Sequence, residues 1–386
     1  MVLKMAKITL TIGGDLVPTA SNDDRFIRAD VEYLLGGELW RLLNDADFRI
    51  FNLEVPLADT EKPLEKCGPN LIAPTSAIAG IKKINPSLLS LANNHIMDQG
   101  AQGLCSTVKT LEANAIAHCG AGQGLPDAAQ PWIVSKEGVT AGVYACAEHE
   151  FSAATNITAG ANPFDPLESY DHVGALKQKC DYVIVLYHGG KECYRYPSPD
   201  LQKYCRKFIE KGADLVVCQH SHCVGCMEEY RGGTVVYGQG NFLSDQSESE
   251  YWQTGLLIRV TLDPGRTDVD YIPLKKNGDA VRIADKNEGE SILRGFWDRS
   301  GQIAQDGFID QNYQAYAKSN LNLILQRFDL LSNSFVFRAA DKLSRRRLSS
   351  WYFNRIFLRR KRLEVRNVLE CEAWRELVIN GLRQQK

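Results

Sequence analysis

The 386-residue sequence predicts an α/β protein of layered sheets, followed by an appended helical region. Short β-branched apolar runs alternate with segments of helical spacing, which is the pattern of an α/β or α/β/β layered fold. From about Ile292 the composition changes to helices rich in Leu, Phe and Arg. We therefore predict an α/β domain over 1–285 and a basic, α-helical region over 286–386.

The predicted strands share a pattern: each is a short apolar run followed by polar or turn residues. Outside the central stretch they cover 7–13, 48–54, 87–95, a pair within 131–147, and the closing runs 254–262 and 269–273. Helical spacing predicts helices over 29–44 and 100–114. The C-terminal helices are predicted over 311–330, 333–348 and 351–381.

The central stretch 181–245 contains strands that end in histidine or asparagine. His188 closes the first run, the pair His220 and His222 closes the second, and Asn241 closes the third. Between the first two runs, 199–211 begins with proline, is followed by glycine and has helical spacing. The stretch is therefore a strand–helix–strand unit with histidines at both strand ends.

Three of the seven histidines lie in this stretch, and two of them are separated by a single serine. In an extended chain, residues two positions apart share a face, so His220 and His222 are expected to project together. At a rise of roughly 3.3 Å per residue, their side chains would start about 6.6 Å apart. Such a spacing suits two neighbouring metal ions, and imidazole is the commonest side-chain metal donor.

The composition predicts a soluble globular protein, with 44% hydrophobic and 24% charged residues. No apolar run approaches the ~18 residues of a membrane helix, and the N-terminus lacks the apolar core of a signal peptide. The eleven cysteines are scattered through predicted strands and helices, which favours reduced thiols over a disulfide framework. We therefore expect a cytoplasmic protein.

Carboxylate, amide and imidazole side chains follow six separate strand ends. They are Asp15, Asn52, Glu54, Asn94, His95, His188, His220, His222 and Asn241. Ligands of α/β sheets bind outside the carboxyl ends of the strands, so these side chains are expected to converge. Each of these residues, taken alone, could be an ordinary turn or helix-cap residue. Such roles do not explain why possible metal ligands follow all six strand ends. The donor set suits two divalent metals such as Mn, Fe or Zn.

Six ordered blocks carry a family resemblance. They are Gly14-Asp15, Asn52-Leu-Glu54, Asn93-Asn94-His95-x-x-Asp98, His188-Gly-Gly, His220-Ser-His222 and Gly240-Asn241-Phe242. Over roughly residues 7–275 the chain resembles the CapA family, named for bacterial poly-γ-glutamate capsule synthesis, within the calcineurin-like metallophosphoesterase superfamily. The resemblance implies a four-layer α/β/β/α sandwich that holds one or two divalent ions (Mn, Zn or Fe).

The resemblance also implies a role for each site residue. Asp15 and His222 would hold one metal, while the second would be held by Asn94, His188 and His220. Glu54 stands where the superfamily has a bridging aspartate. His95 stands at the position of a catalytic histidine that is not a ligand, and Asp98 would orient it.

Two positions depart from the superfamily pattern. Its first block is usually Asp-x-His, whereas Val17 stands at the histidine position here. The first metal should therefore be weakly held. The bridging residue, Glu54, is one methylene longer than aspartate.

Two functions remain open on this basis. The first is a metal-dependent hydrolase that acts on phosphoester bonds or in poly-γ-glutamate metabolism, through a two-metal-activated water with His95 as general acid. The alternative is a non-catalytic substrate-binding or scaffold subunit of a polymer-synthesis complex. The missing imidazole favours the alternative, whereas the His95–Asp98 pair favours the enzyme. The substrate would be a small molecule or a polyanion, and capsule-synthesis proteins are candidate partners.

The C-terminal segment is basic, although the whole chain has a net charge of −2. From residue 339 onward there are thirteen Lys/Arg and five Asp/Glu. One interpretation is a solvated helix face. The functional alternatives are docking to an acidic partner, a polyanion or an anionic membrane surface. No recognised nucleic-acid-binding motif is present in the sequence, so nucleic acid is the least favoured partner.

Overall fold

A computed structural model describes residues 7–245, 247–263, 266–325, 334–352, 355, 365 and 369. The strands, in chain order, are β1 (Ile8–Leu16), β2 (Phe48–Leu53), β3 (Leu88–Ser90), β4 (His118–Cys119), β5 (Ala121–Gly122), β6 (Trp132–Lys136), β7 (Val139–Ala147), β8 (Gly160–Ala161), β9 (Tyr182–His188), β10 (Leu215–Gln219), β11 (Val224–Tyr230), β12 (Gly233–Gln239), β13 (Thr254–Asp263), β14 (Arg266–Asn277) and β15 (Ala280–Ile283).

The helices alternate with these strands and then continue to the end of the described chain. They are α1 (Asp23–Ile27), α2 (Val31–Asn44), α3 (Ile78–Ile84), α4 (Gly100–Ala113), α5 (Leu125–Ala128), α6 (Ser169–Lys177), α7 (Pro199–Glu210), α8 (Lys286–Ile303), α9 (Phe308–Leu325), α10 (Phe335–Leu343) and α11 (Arg347–Tyr352). The α7 helix shows why the sequence pattern was informative. The Ser198 side chain accepts from Leu201 N, a proline opens the helix, and Cys205 and Phe208 are buried on one face.

Among the described residues, two large sheets form the centre of the fold. The first has seven strands in the order β15-β14-β13-β1-β2-β3-β4, and the second has six in the order β11-β12-β10-β9-β7-β6. In the first sheet, β1, β2 and β3 run parallel to one another, and Asp15 pairs with Asn52. In the second, β9 is parallel to β7 and β10, and His188 pairs with Gln219. Because parallel strands end at the same edge, each sheet collects polar side chains there.

Three apolar clusters define four layers. The inner cluster joins both sheets and includes Ile12 and Ile50 from the first and Ile184 and Val217 from the second. A second cluster packs α1–α4 against the first sheet, and a third packs α6 and α7 against the second sheet. The predicted four-layer α/β/β/α sandwich is confirmed.

The two sheets approach closely at the edge where their polar strand ends lie. A Cβ atom on Gly14 would stand 2.2 Å from the carbonyl oxygen of Gly240, far inside van der Waals contact. Leu16 also pairs with Leu243 as an isolated parallel bridge. Glycine at position 14 is therefore required for the ends of β1 and β12 to meet.

The chain divides into two compact units after Ile309, so the observed boundary lies beyond the predicted one at 285. The difference arises from α8, whose Phe296 is buried in the inner apolar cluster. Arg299 Nε donates to Gly225 O at 2.8 Å, and Met227 N donates to Ser300 Oγ at 2.9 Å. These contacts make α8 part of the sandwich.

The second unit is helical where it is described, as α10 and α11 illustrate. The remaining predicted helix over 351–381 and the basic cluster at 359–362 lie largely outside the described residues. No helix within the described ranges combines the length and the apolar composition that membrane crossing requires.

Candidate metal centre

The predicted site residues lie together where the strands of both sheets end. Asp15 is the penultimate residue of β1, Glu54 follows β2, His188 ends β9 and His220 follows β10, and all four are buried. Asn94 follows β3 within a turn and is 9% exposed. The predicted strand over 87–95 was too long, because the backbone turns after Ser90. The Asn93 side chain stabilises that turn by accepting from His95 N at 3.1 Å.

His188 lies between the other members of the second predicted ligand group. Its Nε2 is 3.0 Å from Asn94 Oδ1 and 3.2 Å from Glu54 Oε1. Its ring centre is 4.9 Å from that of His220. Burial alone would lower the pKa of His188, but the negative charge of Glu54 raises it above the usual histidine value. The predicted convergence of these four residues is therefore observed, and their role as ligands stays a prediction.

His222 and Asp15 form the other predicted group. The Nδ1 atom of His222 is 2.8 Å from Asn241 Oδ1 and 3.5 Å from Asp15 Oδ2. The His222 ring also lies against Trp252, with ring centres 4.6 Å apart. Burial would lower the pKa of His222, whereas Asp15 and Glu54 raise it to about 9. Burial would raise the pKa of Asp15, but His222 and His188 lower it below its usual value.

The extended geometry predicted for the histidine pair is wrong. β10 ends at Gln219, and both His220 and His222 have positive φ, +80° and +53°. Non-glycine residues seldom adopt this left-handed conformation, and it is concentrated at functional sites. The two rings are 5.9 Å apart between centres. The pair is thus brought together by a turn that follows the strand.

His220 has one nitrogen without a partner and another that faces a carboxylate. Its Nε2 atom is 3.6 Å from Glu148 Oε1, and Glu148 Oε2 accepts from Gly190 N at 3.1 Å. Burial, together with the charges of His188 and His222, lowers the pKa of His220 well below the usual value. Burial raises the pKa of Glu148. The sequence predicts no role for Glu148, because this residue lies in a loop after β7 without a recognisable motif.

The donor chemistry fits a divalent cation. Among the described residues, Asp15 Oδ2, Glu54 Oε1 and His220 Nδ1 are buried and make no hydrogen bond of good geometry. The contacts of the two carboxylate oxygens with His222 and His188, at 3.5 and 3.2 Å, are ion pairs only. Leaving such an atom unsatisfied costs about 1–3 kcal/mol, more when the group is charged. One ligand atom each from Glu54, His220 and His222 also lies within 4.8 Å of the other two. A divalent cation held by Glu54, His220 and His222 would give this buried carboxylate and these rings a common partner.

His95 lies beside this group with its partner Asp98. The Nδ1 atom of His95 is 2.6 Å from Asp98 Oδ2, as the predicted orientation requires. Leu71 N donates to the same oxygen at 2.6 Å, and Lys66 Nζ pairs with Asp98 Oδ1. The pairing of His95 with Asp98 was predicted, whereas the contact with Lys66 was not.

Asn52 connects the two predicted ligand groups. Its Nδ2 donates to Asp15 Oδ1 at 2.8 Å and lies 3.2 Å from His188 Nδ1. Asn93 Nδ2 donates to Asn52 Oδ1 at 3.0 Å and to Leu53 O at 2.9 Å, which fixes the amide orientation. The sequence pattern placed Asn52 at a strand end but could not reveal this orienting role.

A family model described as bacterial capsule synthesis protein PGA_cap matches residues 9–246, which is more than half of the chain. The chain belongs to this family. The match contains every residue of the candidate centre, from Asp15 to Asn241. The family resemblance drawn from the six sequence blocks is therefore confirmed.

Several relatives of this PGA_cap chain carry descriptive names. The capsule biosynthesis protein CapA of Bacillus anthracis is 26% identical over 277 residues, which cover 69% of this chain and 67% of that protein. The PGA biosynthesis protein CapA of Bacillus subtilis is 32% identical over 221 residues, covering 55% and 58%. A probable polyglutamine synthesis accessory protein of Mycobacterium tuberculosis is 28% identical over 234 residues, covering 55% and 62%. The chain thus spans between just over half and about two thirds of these relatives' lengths.

Solved structures with partial similarity include phosphatases and nucleotidases. A novel phosphatase of Mycoplasma pneumoniae aligns with 70% of this chain and 94% of its own, at 11% identity and a TM-score of 0.44. A putative 5′-nucleotidase of Staphylococcus aureus aligns with 76% and 58%, at 13% identity and a TM-score of 0.43. Such weak similarity says nothing about the activity of this chain, and its fold is defined by the strand order and layers described above.

Proposed function

We propose that this PGA_cap-family protein is a metal-dependent hydrolase that cleaves phosphoester bonds in the synthesis of a capsule polymer such as poly-γ-glutamate. One observation carries the proposal: buried, unsatisfied donor atoms from both sheets converge beside a histidine that is paired with a carboxylate. A binding module needs the first feature only. A hydrolase needs both, since it must activate water and also protonate a leaving group.

The residues present would hold one or two divalent ions of Mn, Zn or Fe. Asn94, His188 and His220 would supply one set of ligands, and Asp15 and His222 would supply the other. Glu54 lies between the sets, near His188 and grouped with His222. When bound, such ions polarise a phosphoryl oxygen and lower the pKa of water towards ~7.

The residue that would donate a proton to the substrate, His95, is positioned by its neighbour Asp98. Asp98 binds the Nδ1 side of His95, which leaves Nε2 as the nitrogen that can reach the leaving oxygen. The His95 side chain is 14% exposed, whereas that of Asp98 is fully buried, so only the histidine can contact a substrate. His95 would thus donate a proton from Nε2 while Asp98 keeps the ring oriented.

A non-catalytic substrate-binding or scaffold role is the second candidate, and one observation favours it. Val17 is buried in the apolar cluster between the first sheet and its helices, so this position offers no ligand. The set around Asp15 consequently has fewer protein donors than the other. The description of the mycobacterial relatives as accessory proteins agrees with either role.

The test begins with the full chain stripped of metal by a chelator and then reloaded with Mn²⁺, Zn²⁺ or Fe²⁺. Phosphomonoesters, phosphodiesters and γ-glutamyl polymers are offered as substrates. The proposal predicts metal-dependent phosphoester turnover that is lost in His188→Ala and His220→Ala. Polymer binding without turnover in any metal form would instead establish the scaffold role.

The matched control is His172→Asn, because His172 contacts Tyr144 between β7 and α6, on the outer face of the second sheet.

A further inference from the structure

A long loop over residues 55–73 brings a lysine to the His95–Asp98 pair. Several hydrogen bonds attach this loop to the turn before α4 without using the Lys66 side chain. Lys62 N donates to Gln99 Oε1 at 2.7 Å, and Leu64 N donates to Asp98 O at 2.9 Å. Gln99 Nε2 in turn donates to Leu71 O at 3.0 Å. The backbone of the loop is therefore fixed independently of the lysine.

The side chain of Lys66 is buried to a degree that is unusual for its residue type. Its side chain is 4% exposed, and the Asp98 side chain is fully buried. Lysine is almost never buried unless it is paired, because the charged form loses its hydration. Here the ammonium pairs with Asp98 Oδ1 and lies 3.4 Å from His95 Nδ1. Such enclosure leaves the ammonium no access to a substrate.

The two oxygens of Asp98 have different partners. Oδ1 pairs with Lys66, whereas Oδ2 accepts from Leu71 N and faces His95 Nδ1, each at 2.6 Å. An ammonium group is a donor only, so it cannot accept the proton of His95 Nδ1. Asp98 Oδ2 is then the acceptor that holds this proton. Without Lys66, Oδ1 would lose its charged donor, and the carboxylate would be held through Oδ2 alone.

We propose that Lys66 is a positioning residue that acts through Asp98. It locks the carboxylate so that His95 keeps a proton on Nδ1 and directs Nε2 towards the metal centre. The expected effect of Lys66 on kcat rests on the proposed hydrolase function. The orientation of the His95 ring does not depend on turnover and can be measured separately.

The experiment uses Lys66→Met, which keeps the length of the side chain but removes the charge. Lys62→Met is the matched control, because Lys62 is exposed and donates to the turn through its backbone N–H, which the substitution keeps. We expect Lys66→Met to reduce kcat by roughly a hundredfold, the scale of a misplaced catalytic group, with KM changed less than about twofold. Lys66→Arg should recover part of kcat, and Lys62→Met should leave it unchanged.

A double mutant separates positioning from other roles. If Lys66 acts through Asp98, adding Lys66→Met to Asp98→Asn should cause no further loss of kcat, because the amide carries no charge to neutralise. The double mutant also removes the unpaired buried carboxylate, so it remains informative if Lys66→Met alone fails to fold. Additive losses, or a rise in KM at constant kcat, would overturn the inference and indicate direct substrate contact.

The orientation of His95 has its own readout. With ¹⁵N-labelled histidine, the wild-type protein should show the His95 proton on Nδ1, assigned by comparison with His95→Asn. Lys66→Met should reduce this Nδ1–H population, and Lys62→Met should not. An unchanged population would overturn the inference even in an active enzyme. Conversely, if no metal form hydrolyses any substrate, the proposed function fails while this measurement still decides the role of Lys66.

Discussion

Raising the pH from about 6.5 to about 8.5 should strengthen cation binding to the metal-free protein. His222, with its pKa raised to about 9, is protonated at neutral pH and must release that proton to bind a metal. One released proton increases the affinity about tenfold per pH unit, or about 1.4 kcal/mol. His222 alone therefore contributes roughly a hundredfold over this range. His188, whose pKa is also raised, adds to the effect, while His220 is already neutral.

Competition with a chromophoric chelator for Zn²⁺ or Mn²⁺ would measure the affinity at each pH. Calorimetry in two buffers of different ionisation enthalpy would count the protons released, and we expect about one or more at neutral pH. The control His172→Asn should give the same slope, because His172 contacts Tyr144 outside the centre. An affinity that stays flat across this range, with no proton release, would refute the assignment of His222 as a ligand.

The same pKa shift affects the stability of the metal-free fold with the opposite sign. The folded pKa of His222, about 9, lies above the ordinary value of 6.5. Its contribution to the free energy of unfolding is therefore complete below about pH 6.5 and is lost as the pH rises through about 9. The full contribution is roughly 3 kcal/mol. Urea denaturation of the chelated protein at both ends of the range would check the sign.

Three further substitutions test the centre. His95→Asn should lower turnover roughly 10²–10⁴-fold while metal content measured by mass spectrometry stays at the wild-type value; loss of metal would mean that His95 is a ligand. Asn52→Ala should lower the free energy of unfolding by about 2–3 kcal/mol, because it removes a buried hydrogen bond to the Asp15 carboxylate, and a change below about 0.5 kcal/mol in urea denaturation would contradict this. Glu148→Gln should weaken metal affinity roughly 10–100-fold, because it removes the negative charge that faces His220. Chelator competition can measure this loss of affinity.

Strand ends were the part of the centre that the sequence pattern predicted well. Asp15 and His188 lie at or next to the last residue of buried strands, and the parallel arrangement of these strands brings their ends to one edge. The positive φ of His220 and His222 was not predictable, because residues after a strand carry no periodic signal. The strand pattern alone predicted an extended backbone at His220 and His222, whereas the structure has a turn there.

Loop residues were the other part that could not be predicted. Lys66 lies in a Pro-, Lys- and Glu-rich loop whose sequence has no periodicity, so nothing distinguishes it from the exposed Lys62. Its burial depends on how the loop contacts the turn at Asp98 and Gln99, far along the chain. The boundary beyond α8 depended in the same way on contacts of Phe296 that a change in composition does not reveal.

The close approach of Gly14 to Gly240 joins the first strand of the sandwich to the residue that follows β12. During synthesis, Asp15 emerges from the ribosome long before His222 and Asn241, so a nascent chain holds only part of the donor set. Pairings this distant in sequence also slow folding, because a large loop must close before they form. Metal loading is therefore expected to follow release of the sandwich from the ribosome. Proteolytic fragments that end before β9 lack His188, His220 and His222 and should hold no ion tightly.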